Sequence, residues 1–125
     1  ALGLTAEAAS TVTFPALMGP QMANWVLLSS EWLDAQTCKT YGLAFEVVAD
    51  AELLARTMEQ AQVLAAKPLA SLITTKEMLM APRREALREA SEIETAALGS
   101  LMGGPANQEA IAAFKERREP DFAKF

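Results

Sequence analysis

Six prolines set the limits on what this 125-residue chain can fold into. Proline has no backbone N–H and crowds the preceding turn, so it suits the first turn of a helix and otherwise interrupts one. Pro15, Pro20, Pro68, Pro82, Pro105 and Pro120 therefore cut the chain into short pieces. Between them the apolar residues recur mostly at helical spacing. A short helix opens over Ala6–Ser10 and is halted near Pro15. Gly19 and Pro20 start another over Gln21–Ser29, apolar on nearly every face, which requires burial on more than one side. Trp25 and Trp32 suit core or interface packing better than a ligand platform.

Asp34 is a natural N-cap for Ala35–Tyr41, with Gly42 as the C-cap and Leu43 folding back. The short β-branched run Ala44–Val48 reads as one brief extended segment. Asp50 caps a helix to about Ala66, striped by Leu54, Met58, Ala61 and Ala65. Lys67-Pro68 begins the next helix, where Leu69, Leu72, Ile73, Leu79 and Met80 share a face, and Ala81-Pro82 ends it. From about Arg83 to Leu101, Ala86, Ala90, Ile93, Ala97 and Leu101 form a narrow stripe of mostly small residues suited to close packing. After the Gly103-Gly104-Pro105 turn, a last helix over about Ala106–Arg118 buries Ala110, Ile111 and Phe114 and stops before Pro120. The fold class expected is all-α, about six short helices with at most one short strand. Its apolar content exceeds what such short helices can hide, which points to an interface with a missing N-terminal part or with copies of itself.

Composition narrows the chemistry. At 51% hydrophobic and 22% charged, the chain is ordinary for one soluble domain. A net charge of −5 argues against a nucleic-acid partner. With no histidine, the commonest metal ligand, the commonest general base and any Ser-His-Asp triad are excluded together, so no metal is expected and catalysis must use carboxylates or borrowed groups. The single cysteine, Cys38, forms no internal disulfide; it suits a reducing cytosol and reads as a small buried apolar residue. No apolar run reaches membrane-spanning length and no charged leader region precedes a cleavage site, so neither a membrane nor a secretory route is expected. The chain opens without Met inside an apolar segment, which suggests a piece of something larger.

The first nineteen residues, apolar from the start, carry a single acid, Glu7. It has two readings. A carboxylate in the first turn of a helix is favoured by the helix dipole by roughly 0.3 to 1 kcal/mol, though a capping box would need Ser or Thr at position 4, which is Leu4. A carboxylate walled by apolar side chains is also the environment that raises a carboxyl pKa and suits a general base.

Leu2-Gly3-Leu4-Thr5-Ala6-Glu7-Ala8-Ala9-Ser10, Phe14-Pro15-Ala16-Leu17-Met18-Gly19, Leu33-Asp34-Ala35 with Tyr41-Gly42-Leu43, Leu69-Ala70 with Thr75-Lys76, and Glu109 through Phe122 occur in an order and spacing that resemble the C-terminal half of the enoyl-CoA hydratase/isomerase (crotonase) family. The resemblance implies that residues 1–19 are the end of the core and active-site segment and 20–125 a helical assembly region, one domain in all. The family's N-terminal half supplies a spiral of ββα units and the oxyanion-hole loops, of Ala-x-x-Gly and Gly-Gly-Gly type; no Gly-Gly-Gly run occurs here, and the Ala-x-x-Gly strings at Ala16–Gly19 and Ala96–Gly99 lie within the C-terminal half that the resemblance covers.

The Gly-x-x-x-Glu string is most similar to the Δ3,Δ2-enoyl-CoA isomerases, whose catalytic carboxylate matches Glu7, although Ala6 stands where the family commonly has Pro. The resemblance thus implies an enzyme of fatty-acid metabolism and β-oxidation, acting on a coenzyme A thioester with no separate cofactor and assembled as a trimer or dimer of trimers. Its compartment would be the cytoplasm, or a peroxisome or mitochondrion in a eukaryote. It further implies that Phe114 and Arg117 reach the coenzyme A bound to a neighbouring subunit, against the plainer reading of Phe114 as core and Arg117 as a solvated helix end. The alternatives are a hydratase or other crotonase whose main acid lies upstream, and a helical assembly module without chemistry of its own. The 125-residue chain by itself is expected to be inactive.

Overall fold

The computed structural model describes residues 2–125; Ala1, the first residue of the 1–19 segment, lies outside the described residues. Among the described residues seven helices follow one another: α1 (Ser10–Met18), α2 (Pro20–Ser29), α3 (Ala35–Thr40), α4 (Leu53–Ala65), α5 (Leu69–Met80), α6 (Arg84–Leu101) and α7 (Pro105–Glu116). Single 3₁₀ turns occupy Asp50–Glu52, Ala81–Arg83 and Phe122–Lys124. No strand occurs among the described residues, so the all-α expectation holds, and the 44–48 segment forms no regular element, with a bend at Phe45.

Most of the proline boundaries hold. Pro20 and Pro105 sit at the first helical positions of α2 and α7, Pro68 precedes α5, and Pro82 lies in the turn between α5 and α6. Pro15 does not halt its helix. It lies inside α1, where its missing N–H removes one hydrogen bond, and the helix runs on until the Gly19 N–H donates to the Pro15 carbonyl at 3.0 Å. Nor does α1 open at Ala6, because Ala8 and Ala9 both adopt left-handed backbone, φ 59° and 55°. Asp34 caps α3, accepting the Thr37 N–H at 2.7 Å, and Gly42 (φ 78°) closes it, with the Leu43 N–H donating to the Cys38 carbonyl at 2.9 Å. Asp50 is no cap; it begins a 3₁₀ turn that runs into α4.

The chain divides into two compact units. The first joins residues 2–32 to residues 86–125. Its core is made of small side chains, Ala9, Ala23, Val26, Ala90, Ala110 and Ala113, which let helices approach closely. On α6 the buried stripe runs through Ala90 and Glu94, while Ile93, expected inside, is exposed. Phe114 is also outside, 82% exposed, because the buried face of α7 is Asn107, Ala110 and Ala113, a spacing that turns position 114 to solvent. α7 ends at Glu116, since Arg117 turns left-handed at φ 54°.

Glu94 is only 4% exposed. Its Oε1 accepts both the Thr11 backbone N–H, at 3.0 Å, and the Thr11 hydroxyl, so a carboxylate from α6 closes the first turn of α1. Ala9, at the N-cap, has no side-chain oxygen to do this.

The second unit, Leu33–Glu85, holds α3, α4 and α5 and has no fully buried residue among those described. Arg56 of α4 ties the 44–48 segment to the helix through Glu46 at 2.9 Å and pairs along the helix with Glu59 at 2.6 Å. The stripe of α4 leaves Leu54 and Met58 exposed, as α5 leaves Leu69 and Ile73.

In the first unit the N-terminal segment docks on the start of α7 at Gly3. There φ is +63°, and a Cβ would stand 2.6 Å from the Ala106 carbonyl oxygen. Gly3→Ala is expected to destabilise the protein by about 2 to 4 kcal/mol through left-handed strain and backbone overlap together, read as a lower urea midpoint.

Candidate active site

The segment that carries Glu7 is held at both ends. At its start the Leu2 carbonyl accepts the Asn107 side-chain N–H at 2.9 Å, while the Asn107 side-chain oxygen accepts the Gly103 N–H at 3.0 Å. At its other end the Ser10 N–H donates to the Glu7 carbonyl at 3.1 Å across the left-handed Ala8-Ala9 pair. Left-handed alanines cost roughly 1 to 2 kcal/mol each, and such strain persists only where surrounding contacts impose it.

Between this segment and its neighbours opens a cleft of about 1100 Å³. Phe14 of α1, Leu27 and Leu28 of α2, and Phe122 and Phe125 of the C-terminal tail give it apolar walls, and Thr5, Thr11 and Thr13 supply hydroxyls. Glu7 is the one ionisable side chain among the described residues lining it. Glu7 is exposed, and among the described residues its carboxylate makes no hydrogen bond or ion pair. It lies three residues ahead of α1 rather than in its first turn, and the carboxylate at that helix start is Glu94 instead. Burial pushes the Glu94 carboxyl up, but the Thr11 hydroxyl and the N–H groups of Thr11, Ala9 and Ser10 outweigh it and hold it below the usual range.

The tail that brings Phe122 and Phe125 to the cleft is pinned by one pair. Arg118 gives two N–H groups to Glu109, the longer bond at 3.1 Å, and the Asp121 N–H donates to the same carboxylate at 3.0 Å. The Arg118 guanidinium first, and the Asp121 N–H second, bring the Glu109 carboxyl down to about 2.

Phe114 and Arg117 do not line the cleft; both are exposed at the C-terminal end of α7. Phe114 is therefore not core. Glu94 was not singled out in the sequence, although its place four residues after Ala90 puts a charge on the packed side of α6. No cluster of three or more His, Cys, Asp or Glu able to hold a metal, and no helix long and apolar enough to cross a membrane, occurs among the described residues.

The profile of the enoyl-CoA hydratase/isomerase family matches residues 1–124. The chain belongs to that family. It is 35% identical over 92 residues to the bacillaene synthase decarboxylase of Bacillus subtilis, covering 74% of this chain and 37% of that protein. It is 27% identical over 121 residues to the crotonyl-CoA hydratase of Syntrophomonas wolfei, covering 97% of this chain and 46% of the other. Among solved structures, an enoyl-CoA hydratase from Mycobacterium avium subsp. paratuberculosis superposes with a TM-score of 0.88 at 26% identity, covering 97% of this chain and 49% of that one. An enoyl-CoA hydratase/isomerase from Pseudoalteromonas atlantica gives 0.87 at 28% identity, with the same coverage of both chains. The family member described here thus spans less than half the length of these relatives.

Because the folded-state value of Glu109 lies below its ordinary 4.5, its pairing stabilises the tail above about pH 4.5 and is lost as pH falls towards about 2. Glu109→Gln should mimic that loss at neutral pH. Amide exchange at Asp121 and Ala123 is expected to speed up at least tenfold while the middle of α7 keeps its protection; unchanged exchange in the tail would count against the pin.

Proposed function

We propose that this chain supplies the C-terminal half of an enoyl-CoA isomerase in which Glu7 moves the proton that shifts the double bond. The observation that carries the reading is the position of Glu7: among the described residues it is the one ionisable side chain lining an apolar cleft and has no hydrogen-bond or ion-pair partner, and Glu94 relieves it of a helix-start role. The Glu7 carboxylate would take a proton from C2 of a 3-enoyl thioester, sending the C–H electrons into a dienolate whose charge rests on the thioester oxygen. The same carboxyl would return that proton to C4, and the electrons would reform the carbonyl and leave the double bond between C2 and C3. One base on one face is sufficient for this.

The enolate oxygen needs two N–H donors, each worth about 3 kcal/mol in the transition state, and these belong to the N-terminal half that the family resemblance implies. The isolated chain would accordingly be inactive. The apolar walls of the cleft suit an acyl chain, which supports a role in fatty-acid metabolism and β-oxidation, and the single cysteine suits the cytoplasm. No cofactor beyond the coenzyme A of the substrate is called for. The exposure of Phe114 and Arg117 supports their reaching the coenzyme A of a neighbouring subunit. The uncovered apolar faces of α4 and α5 support a homo-oligomer, a trimer or a dimer of trimers.

A second reading is favoured by the likeness to the crotonyl-CoA hydratase over 97% of the chain. In that reading an upstream acid leads the addition of water to a 2-enoyl-CoA and Glu7 assists. The two separate on one substitution in the full-length enzyme. Glu7→Gln keeps the side chain's size and removes its basicity, so isomerisation of a 3-enoyl-CoA is expected to lose about 10² to 10⁴ in kcat with little change in KM. Wild-type isomerisation by that variant would end the assignment of Glu7 as base; surviving hydration at a reduced rate would favour the second reading.

A further inference from the structure

We infer that Glu94 is a positioning residue for Glu7, acting through Thr11 and the left-handed Ala8-Ala9 turn; the inference rests on the reading of Glu7 as the base. Three observations converge on it. Glu94 is buried and spends Oε1 on both donors of Thr11, while its Oε2 is buried with no hydrogen-bond partner among the described residues. A helix start can be capped by a neutral Ser, Thr or Asn at the N-cap itself, so a buried charge from another helix is a costly way to obtain a cap alone. The second observation is strain. Ala8 and Ala9 lie between the base and the capped turn in left-handed backbone, and alanine holds that conformation only when both flanks are fixed. The third is continuity. The Ser10 N–H bonds the Glu7 carbonyl, and Thr11 follows at once with both its donors on Glu94, so the two ends of the strained pair are tied to the base and to α6 respectively.

The mechanical consequence is specific. With Glu94 in place the first turn of α1 cannot unwind, the Ala8-Ala9 turn cannot relax to extended backbone, and the Glu7 side chain leaves the chain in one direction at the cleft. Weakening that grip lets the carboxylate wander while the walls that bind substrate stay in place. A displacement on the order of 1 Å at a reacting group can cost about 10²-fold in rate.

The test is a double-mutant cycle in the full-length enzyme with a 3-enoyl-CoA as substrate, assayed well below the melting temperature of every variant. Glu94→Gln retains an oxygen for Thr11 but loses the charge, and its kcat is expected to fall about 10- to 100-fold with KM within about twofold. In a Glu7→Gln background the same change should cost nothing further, because there is no base left to aim. Thr11→Val, which removes one of the two donors, should fall in the same direction by less, and Thr11→Ser, which keeps the hydroxyl, should restore most of the rate. If Glu94→Gln does not fold, this Thr11 pair carries the comparison. A Glu94→Gln enzyme that melts lower yet keeps the wild-type kcat, while Glu7→Gln is crippled, overturns the positioning role and leaves the base standing. An equal loss from Glu94→Gln in both backgrounds overturns it as well. A Glu7→Gln enzyme with wild-type rate overturns the base reading itself.

Discussion

The first unit depends on a buried carboxylate meeting a helix start. Taking the Glu94 carboxylate out of water is unfavourable, and the two Thr11 donors together with the positive end of the α1 dipole offset it. Without that contact the first turn of α1 would begin at Ala9, which has no capping oxygen and, like Ala8 before it, holds a conformation that alanine avoids. The packing of α1 on α2, and with it Ala23 and Val26, starts from that turn. So does the direction of the segment that carries Glu7.

The cleft owes its shape to two more pins of the same kind. Asn107 holds the Leu2 carbonyl, and Glu109 holds the tail through Arg118 and the Asp121 N–H. Both come from α7, whose inner face is otherwise alanine. With so few large side chains buried, polar groups fix the edges of the cleft while small residues bring the helices close. The aromatic and aliphatic bulk of the chain is left for surfaces and for the cleft itself.

Much of this was legible in the sequence. The helices and most of their limits follow from the prolines, and Asp34 and Gly42 cap α3 as their chemistry requires. Pro15 misled, because a proline in a nine-residue helix removes one hydrogen bond without ending the helix. The left-handed Ala8-Ala9 pair left no trace, since alanine signals helix and nothing in its side chain marks a positive φ. Phe114 looked like core because it continues the apolar pattern of Ala110 and Ile111, whereas the packed face runs through Asn107, a polar residue whose partners lie at positions 2 and 103. Glu94 escaped for the same reason. A pattern of apolar residues does not register a charge that is buried to serve another helix.

The contact that orders α1 joins residues 83 positions apart, and the one that anchors the N-terminal segment joins residues 105 apart, with the whole of Leu33–Glu85 between. A helical chain is usually quick to fold because its contacts are local; this one carries its decisive contacts at long separation, which is the property that slows folding. During synthesis at about 5 to 20 residues per second, the first turn of α1 waits roughly 4 to 17 s for Glu94 to be made. Over that interval the strained turn beside Glu7 has nothing to hold it. The nascent chain therefore carries the segment of Glu7 unlocked, and the last third of the sequence given sets it in place.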